Sequence, residues 1–229
     1  MPMKASGPAT DWQEIDRFEN GARGAGWVAY PEERMQRASH ALAADDGVYV
    51  VDPVDAEGVD DLLTEFGEVA GVVVLLDRHK RDAASVARRH DVPVYVPDVM
   101  AGITDDIDAE TTVVRHDIDG SGLAVHGVIN NPLWSEAALY SEDDGTLVVA
   151  EAVGTGSYFL AGDERLGVHP ALRITPPKRL RRFDAERLLV GHGEGVLTDA
   201  ASAVDDAVSG ARGRAPRLYA QTLRSFLPV

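Results

Sequence analysis

The chain contains no cysteine, which excludes disulfides, thiolate metal ligands and thiol nucleophiles. Lysine is nearly absent as well: Lys4, Lys80 and Lys178 stand against 19 arginines. No apolar run approaches the length of a membrane span, and the opening MPMKASGPATDW has no apolar segment of the kind that directs secretion. These absences point to a chain free in the cytoplasm, with no membrane partner. Positive charge in general is short. Twenty-two basic residues face 38 acidic ones, 24 of them Asp, for a formal charge of -16. Self-repulsion of that size is tolerable when salt screens it, so the composition predicts a protein of a salt-rich, halophilic cytoplasm. It also argues against nucleic acid as a partner and leaves a small molecule as the expected one. Oligomeric state is not written in the composition.

What is present suffices for one full core, since 45% of 229 residues are apolar. The first part, from about residue 10 to 52, reads as β-rich. WQEIDRFE and GWVAYP are strand candidates, and ASHALAADDGVYVVDP is a hairpin about Asp45-Asp46-Gly47. Helical spacing of Val59, Leu62, Leu63 and Phe66 follows. Then come a buried strand GVVVLL, a short helix DAASVARRH and a strand VPVYVP. The second half repeats the order, with strands TTVVRHDI, GLAVHGVI and the hairpin EAALYSEDDGTLVVAE. It closes on two predicted helices between about 196 and 227. The expectation is an α/β chain, 1–229 forming one domain of two β-then-α halves with sheets face to face.

Polar residues follow an apolar strand in three places. Asp77, His79, Arg81 and Asp82 end VVVLL, Glu151 ends TLVVA, and His192 sits in LLVGHGEG. Strand ends of an α/β fold converge on one edge, so these residues are candidates for a shared pocket. Taken as ligands, two imidazoles and several carboxylates suit a divalent metal, although a histidine at a strand end is commonly structural. His116 and His126 read as structural, while His40 and His169 have no supporting neighbours, with His169 placed near GDERLG as a pocket-wall candidate. GTGS at 154–157 and the GHGEG turn are candidate anion nests. The basic PPKRLRR is expected to pair with the protein's own acidic face.

The order of Asp52-Pro53 after a strand, a polar loop after VVVLL, SEDDGTLVVAEAVG and then LLVGHGEG resembles the metallo-β-lactamase superfamily, from about residue 25 to 205. The resemblance implies a four-layer αββα sandwich and a site holding one or two zinc or iron ions that activate a hydroxide. Set on the family's H-x-H-x-D-H, the first His becomes Asp77, the second remains His79, the Asp becomes Arg81 and the last His becomes Asp82. The next metal His falls on Asn131 or Pro132, the bridging Asp becomes Glu151, and the final His remains His192. A guanidinium cannot ligate a cation and opposes one nearby. Two readings follow. In the first, the cleft has a degraded site without metal and binds a small anion through Arg81, His79 and His192, with Arg81 in the second-metal region paired to Asp82 or Glu151. In the second, the chain is a hydrolase of esters, thioesters or phosphoesters. Its one divalent ion, zinc, iron or manganese, is held by His79, Asp82, Glu151 and His192. Whether the chain is an enzyme therefore turns on its metal.

Overall fold

A computed structural model describes residues 2–7, 9–19 and 23–225. Seven strands form the first sheet in chain order: β1 (Gln13–Phe18), β2 (Arg23–Val28), β3 (Ala38–Ala44), β4 (Gly47–Val51), β5 (Val69–Val73), β6 (Val94–Pro97) and β7 (Thr111–Val114). β1 to β4 pair antiparallel and β4 to β7 parallel. The predicted Asp45-Asp46 turn is there, joining Ala44 to its partner Gly47. Gly47 has φ 150°, and a Cβ on it would stand 2.8 Å from Glu68 O, so only glycine fits between the β3–β4 hairpin and β5.

The parallel half needs crossovers, and α1 (Val59–Thr64) and α2 (Ala83–His90) supply them. Val72 to Leu76 are all fully buried, as expected of a central strand and its extension covered on both sides. Ala83, Val86 and Ala87 form the buried stripe of α2, while Arg88, Arg89 and His90 occupy its last turn, where the helix dipole favours cations. Asp91, left-handed at φ 55°, ends the helix.

The second sheet has the order β14-β11-β10-β9-β8, from β8 (Asp117–Ile118), β9 (Leu123–Asn131), β10 (Trp134–Ser141), β11 (Thr146–Val149) and β14 (Arg187–Val190). A two-stranded ribbon of β12 (Val153–Gly154) and β13 (Gly167–Val168) lies between β11 and β14 in sequence. The closing segment is one helix, α3 (Ala200–Ser225), and not the two helices predicted. Gly210, Gly213 and Pro216 are poor helix formers inside it. Yet the buried stripe Ala200, Ala203, Val204, Ala207, Val208, Ala211, Ala215 and Leu218 runs straight through them. Burial of that stripe outweighs the local breakers.

The layers are thus α1 and α2, first sheet, second sheet, α3: an αββα sandwich. The sheets are stitched where the site lies. Past β5, Leu75 O accepts the N–H of Ala137 at 2.9 Å, and Asp77 N–H donates to Ser135 O at 3.0 Å. Among the described residues no helix is long and apolar enough to cross a membrane.

Candidate functional site

His79, Glu151 and His192 converge at this seam, each offering one ligand atom within 4.8 Å of the others. His79 lies in the loop after β5, Glu151 just past β11 and His192 just past β14. All three are buried, and Glu151 is the most accessible at 8%.

The orientation of each imidazole is set from behind. His79 Nδ1 stands 3.0 Å from Asp52 Oδ2, and Asp52 Oδ1 accepts the Leu75 N–H at 2.9 Å. The carboxylate thus holds the His79 proton on Nδ1 and leaves Nε2 bare, 4.0 Å from Glu151 Oε2. His192 Nδ1 lies 2.9 Å from Met35 O. A carbonyl only accepts, so Nδ1 again carries the proton. His192 Nε2 is bare, buried, without a hydrogen-bond partner among the described residues, and 3.8 Å from Glu151 Oε1. Burial holds both rings well below the usual histidine pKa. Arg81 adds to the effect on His79, and His79 and then Arg81 add to it on His192. Both are neutral at pH 7.

Glu151 is positioned by a second glutamate. Glu136, fully buried on β10, accepts the N–H groups of Glu151 and Ala152 on Oε1 at 2.8 and 2.9 Å. Its Oε2 accepts the Trp134 indole N–H at 2.7 Å. Burial pushes the Glu136 pKa up to about 7 against these three donors. Arg78 lies over the Trp134 ring, 4.0 Å from its centre, and donates from Nε to Glu151 Oε2 at 3.0 Å. Glu136 therefore orders both the main chain of Glu151 and the guanidinium on its carboxylate. The β12–β13 ribbon brings in a third imidazole, that of His169, whose backbone N–H donates to Ala152 O at 3.1 Å and whose ring Nε2 lies 3.7 Å from Glu151 Oε1.

The remaining candidates lie apart from this cluster. Asp82 precedes α2, and its carboxylate accepts the Asp55 N–H at 2.9 Å, so it does not join the other three. Asp77 accepts the Ser135 N–H at 2.9 Å and sits at the rim. Arg81 pairs with neither Asp82 nor Glu151. It donates to the carbonyls of Ala38 and Asp52 at 2.6 and 2.7 Å and of Gly191 at 3.1 Å, tying β3, the end of β4 and the His192 turn together. The guanidinium on the Glu151 carboxylate is that of Arg78, which spacing did not single out. Asn131 and Pro132 lie in the β9–β10 turn, outside the cluster. His40 is structural, with Nε2 2.9 Å from Val190 O.

Both anion nests are filled by the protein itself. The Thr155 and Gly156 N–H groups donate to His192 O, both at 3.1 Å. The Gly195 N–H meets the Asp16 carboxylate at 2.8 and 2.7 Å, and burial raises Asp16 to about 7. Of the basic segment, Arg181 pairs with Asp205 of α3 at 2.6 Å, while Arg182 Nη2 lies 3.0 Å from His126 Nδ1.

Two signals for the missed residues were available. Asp52 closes a strand as the Asp of VDP, and Glu136 is a lone acid at an inward position of the apolar strand WSEAALY. Nothing local marks Arg78.

The donor set fits a single divalent cation. Two bare imidazole nitrogens and a carboxylate are three ligands of borderline hardness, suited to zinc, iron or manganese and leaving a position open. The buried His192 Nε2 without a partner is the strongest sign that something belongs there. A second cation is opposed, because Arg78 occupies the Oε2 side of Glu151.

No family model and no curated protein matches the sequence. Among solved structures, the chain is similar to the DIM-1 metallo-β-lactamase exposed to ceftazidime, with a TM-score of 0.60 at 12% identity, over 92% of this chain and 99% of that one. It is similar to a putative diflavin flavoprotein fragment from Nostoc sp., with a TM-score of 0.60 at 14% identity, over 95% of this chain and 99% of the other. A mutant flavo di-iron protein from Thermotoga maritima aligns at a TM-score of 0.61 and 14% identity, over 89% of this chain and 62% of that chain. At these identities the likeness is one of fold, the metallo-β-lactamase fold.

Proposed function

We infer that the chain is a hydrolase of the single-cation kind, with His79, His192 and Glu151 as the ligands and an ester, thioester or phosphoester as the substrate. One observation carries this. The two histidines are fixed by Asp52 and by Met35 O in the tautomer that points a bare Nε2 at the same carboxylate. Structural histidines have no need of that convergence. A cation held there supplies Lewis acidity to a substrate oxygen and lowers the pKa of water. The protein's own part is to keep both imidazoles neutral by burial, to hold the Glu151 main chain through Glu136, and to exclude a second ion with Arg78.

A specific contact favours the other reading, a metal-free cleft for a small anion: Arg78 already neutralises Glu151 at 3.0 Å. One measurement separates them. Protein purified without chelator or immobilised nickel, in molar KCl to suit its charge of -16, is analysed for metals. About one equivalent of zinc, iron or manganese, lost in His79→Ala and His192→Ala, is the expected result. A screen of chromogenic esters, thioesters and phosphodiesters then follows. Absence of metal after incubation with excess zinc, iron(II) and manganese would remove the hydrolase reading and leave the anion cleft.

A further inference from the structure

His169 looks like a third metal ligand, with its Nε2 3.7 Å from Glu151 Oε1. Its hydrogen bonding says otherwise. The ring follows β13 and caps the short 3-10 turn Pro170–Leu172, where the Ala171 N–H donates to Nδ1 at 3.2 Å. A backbone N–H only donates, so Nδ1 is the bare nitrogen and the single proton of the neutral ring sits on Nε2. His169 thus has the opposite tautomer to His79 and His192. It turns a donor, not a lone pair, toward the cluster.

Among the described residues that donor is not used. At 3.7 Å the Glu151 oxygen is beyond hydrogen-bond range, and no other acceptor meets Nε2 among the described residues. The ring cannot easily turn away. Trp134 packs edge-on at 4.9 Å between centroids, Phe159 at 5.5 Å and Tyr158 at 6.4 Å. Two more donors stand beside it. The Tyr158 hydroxyl is buried without a partner, its ring 5.8 Å from that of His192. Arg78, exposed over 41% of its side chain, engages Nε and Nη1 but makes no hydrogen bond through Nη2 among the described residues. The Tyr158 hydroxyl is out of reach of water, while the partly exposed His169 and the exposed Arg78 give their N–H groups to solvent until a ligand displaces it, so an occupant that accepts from all three is favoured over an apolar one.

We propose that His169 is a substrate-binding hydrogen-bond donor that, with Arg78, seats an oxyanion of the substrate, phosphoryl or carboxylate, against the Glu151 cluster. This rests on the one-cation reading for the location of the reacting bond, while the oxyanion seat itself can be tested without metal. It assigns the third imidazole to the substrate and not to the ion.

The test is long-range ¹H–¹⁵N NMR of the histidine rings of the full chain. Metal-free protein is expected to show His169 protonated on Nε2 and His79 and His192 on Nδ1. Zinc should shift Nε2 of His79 and His192 and leave His169 alone. Inorganic phosphate or acetate should shift the His169 Nε2–H, and whichever anion does so at the lower concentration identifies the seat as phosphoryl or carboxylate. His169→Phe should weaken that anion about tenfold, the value of one hydrogen bond of about 1.4 kcal/mol, while zinc stoichiometry is unchanged. His169→Gln, which restores an N–H, should recover part of the loss. A zinc-induced shift of His169 Nε2, a proton found on its Nδ1, or indifference to both anions would each overturn the assignment. If zinc shifts no histidine but an anion still shifts His169, the one-cation reading fails and the oxyanion seat stands.

Discussion

Asp52 Oδ2 lies 3.0 Å from His79 Nδ1 while Asp52 Oδ1 accepts the N–H of Leu75 at 2.9 Å, so one buried carboxylate serves both the β5 extension and the tautomer of His79. Asn at this position cannot do both. Its oxygen must stay on Leu75, because a backbone N–H needs an acceptor. Its NH2 then faces His79 Nδ1 and forces the His79 proton to Nε2, which removes the lone pair from the cluster. Asp52→Asn is expected to lower zinc affinity by about 10–100-fold with the fold intact, read by chelator competition. Unchanged affinity would show that the carboxylate does not set the tautomer.

Glu136 gives a parallel case at the other ligand. Gln in its place must keep its oxygen on the Glu151 and Ala152 N–H groups, so its NH2 meets the Trp134 indole N–H, donor against donor. The indole then loses its anchor and Arg78 loses its platform. Glu136→Gln should change the visible spectrum of the cobalt-substituted protein and weaken zinc binding about tenfold, by loss of this supporting shell. Adding Trp134→Phe to it removes the opposed donor and should recover part of the affinity. A spectrum identical to wild type would mean that Glu136 only stabilises the fold.

Much of this arrangement could be read from local pattern. The run Val72 to Leu76, the stripe of α2 and the Asp45-Asp46 turn follow from apolar spacing and turn chemistry. Strand-end position alone drew attention to His79, Glu151 and His192, which the structure places together. The rest depends on partners distant in sequence. Arg78 reaches Glu151 across 73 positions and Arg81 reaches Gly191 across 110, and no local pattern encodes either. Asp82 falls among the candidate ligands only by its place in the six-position H-x-H-x-D-H pattern. In the fold that place is the start of α2, where the carboxylate serves Asp55. His169 owes its position to a two-residue strand too short to show periodicity.

Arg81 is expected to matter for stability rather than for ligand binding. Its three carbonyl partners belong to segments that carry Asp52, His192 and β3, and methionine would leave those acceptors unmet in a largely buried place. Arg81→Met should lower unfolding free energy by about 2–4 kcal/mol, measured by denaturant melting in KCl, with zinc still bound at one equivalent. Loss of phosphate or acetate binding without loss of stability would instead place the guanidinium in the ligand seat.

His40 predicts the pH dependence. It is fully buried with Nε2 on Val190 O, and burial lowers its pKa from 6.5 to about 4. The folded state disfavours the proton that the unfolded chain accepts, so His40 supports the fold fully above pH 6.5 and its contribution is lost as pH falls from 6.5 to about 4. The loss is on the order of 3 kcal/mol. Asp16 and Glu136 act with the opposite sign. Both are raised to about 7, so the fold holds their protons more tightly, and their contribution is present below about pH 4 and lost as pH rises to 7. The wild-type profile therefore mixes opposing slopes. The comparison with His40→Gln isolates one of them, since Gln keeps an N–H for Val190 O and does not titrate. The variant should be the less stable above pH 6.5, and the difference should shrink as pH falls toward 4. A difference constant with pH would mean that folding leaves the His40 pKa unshifted.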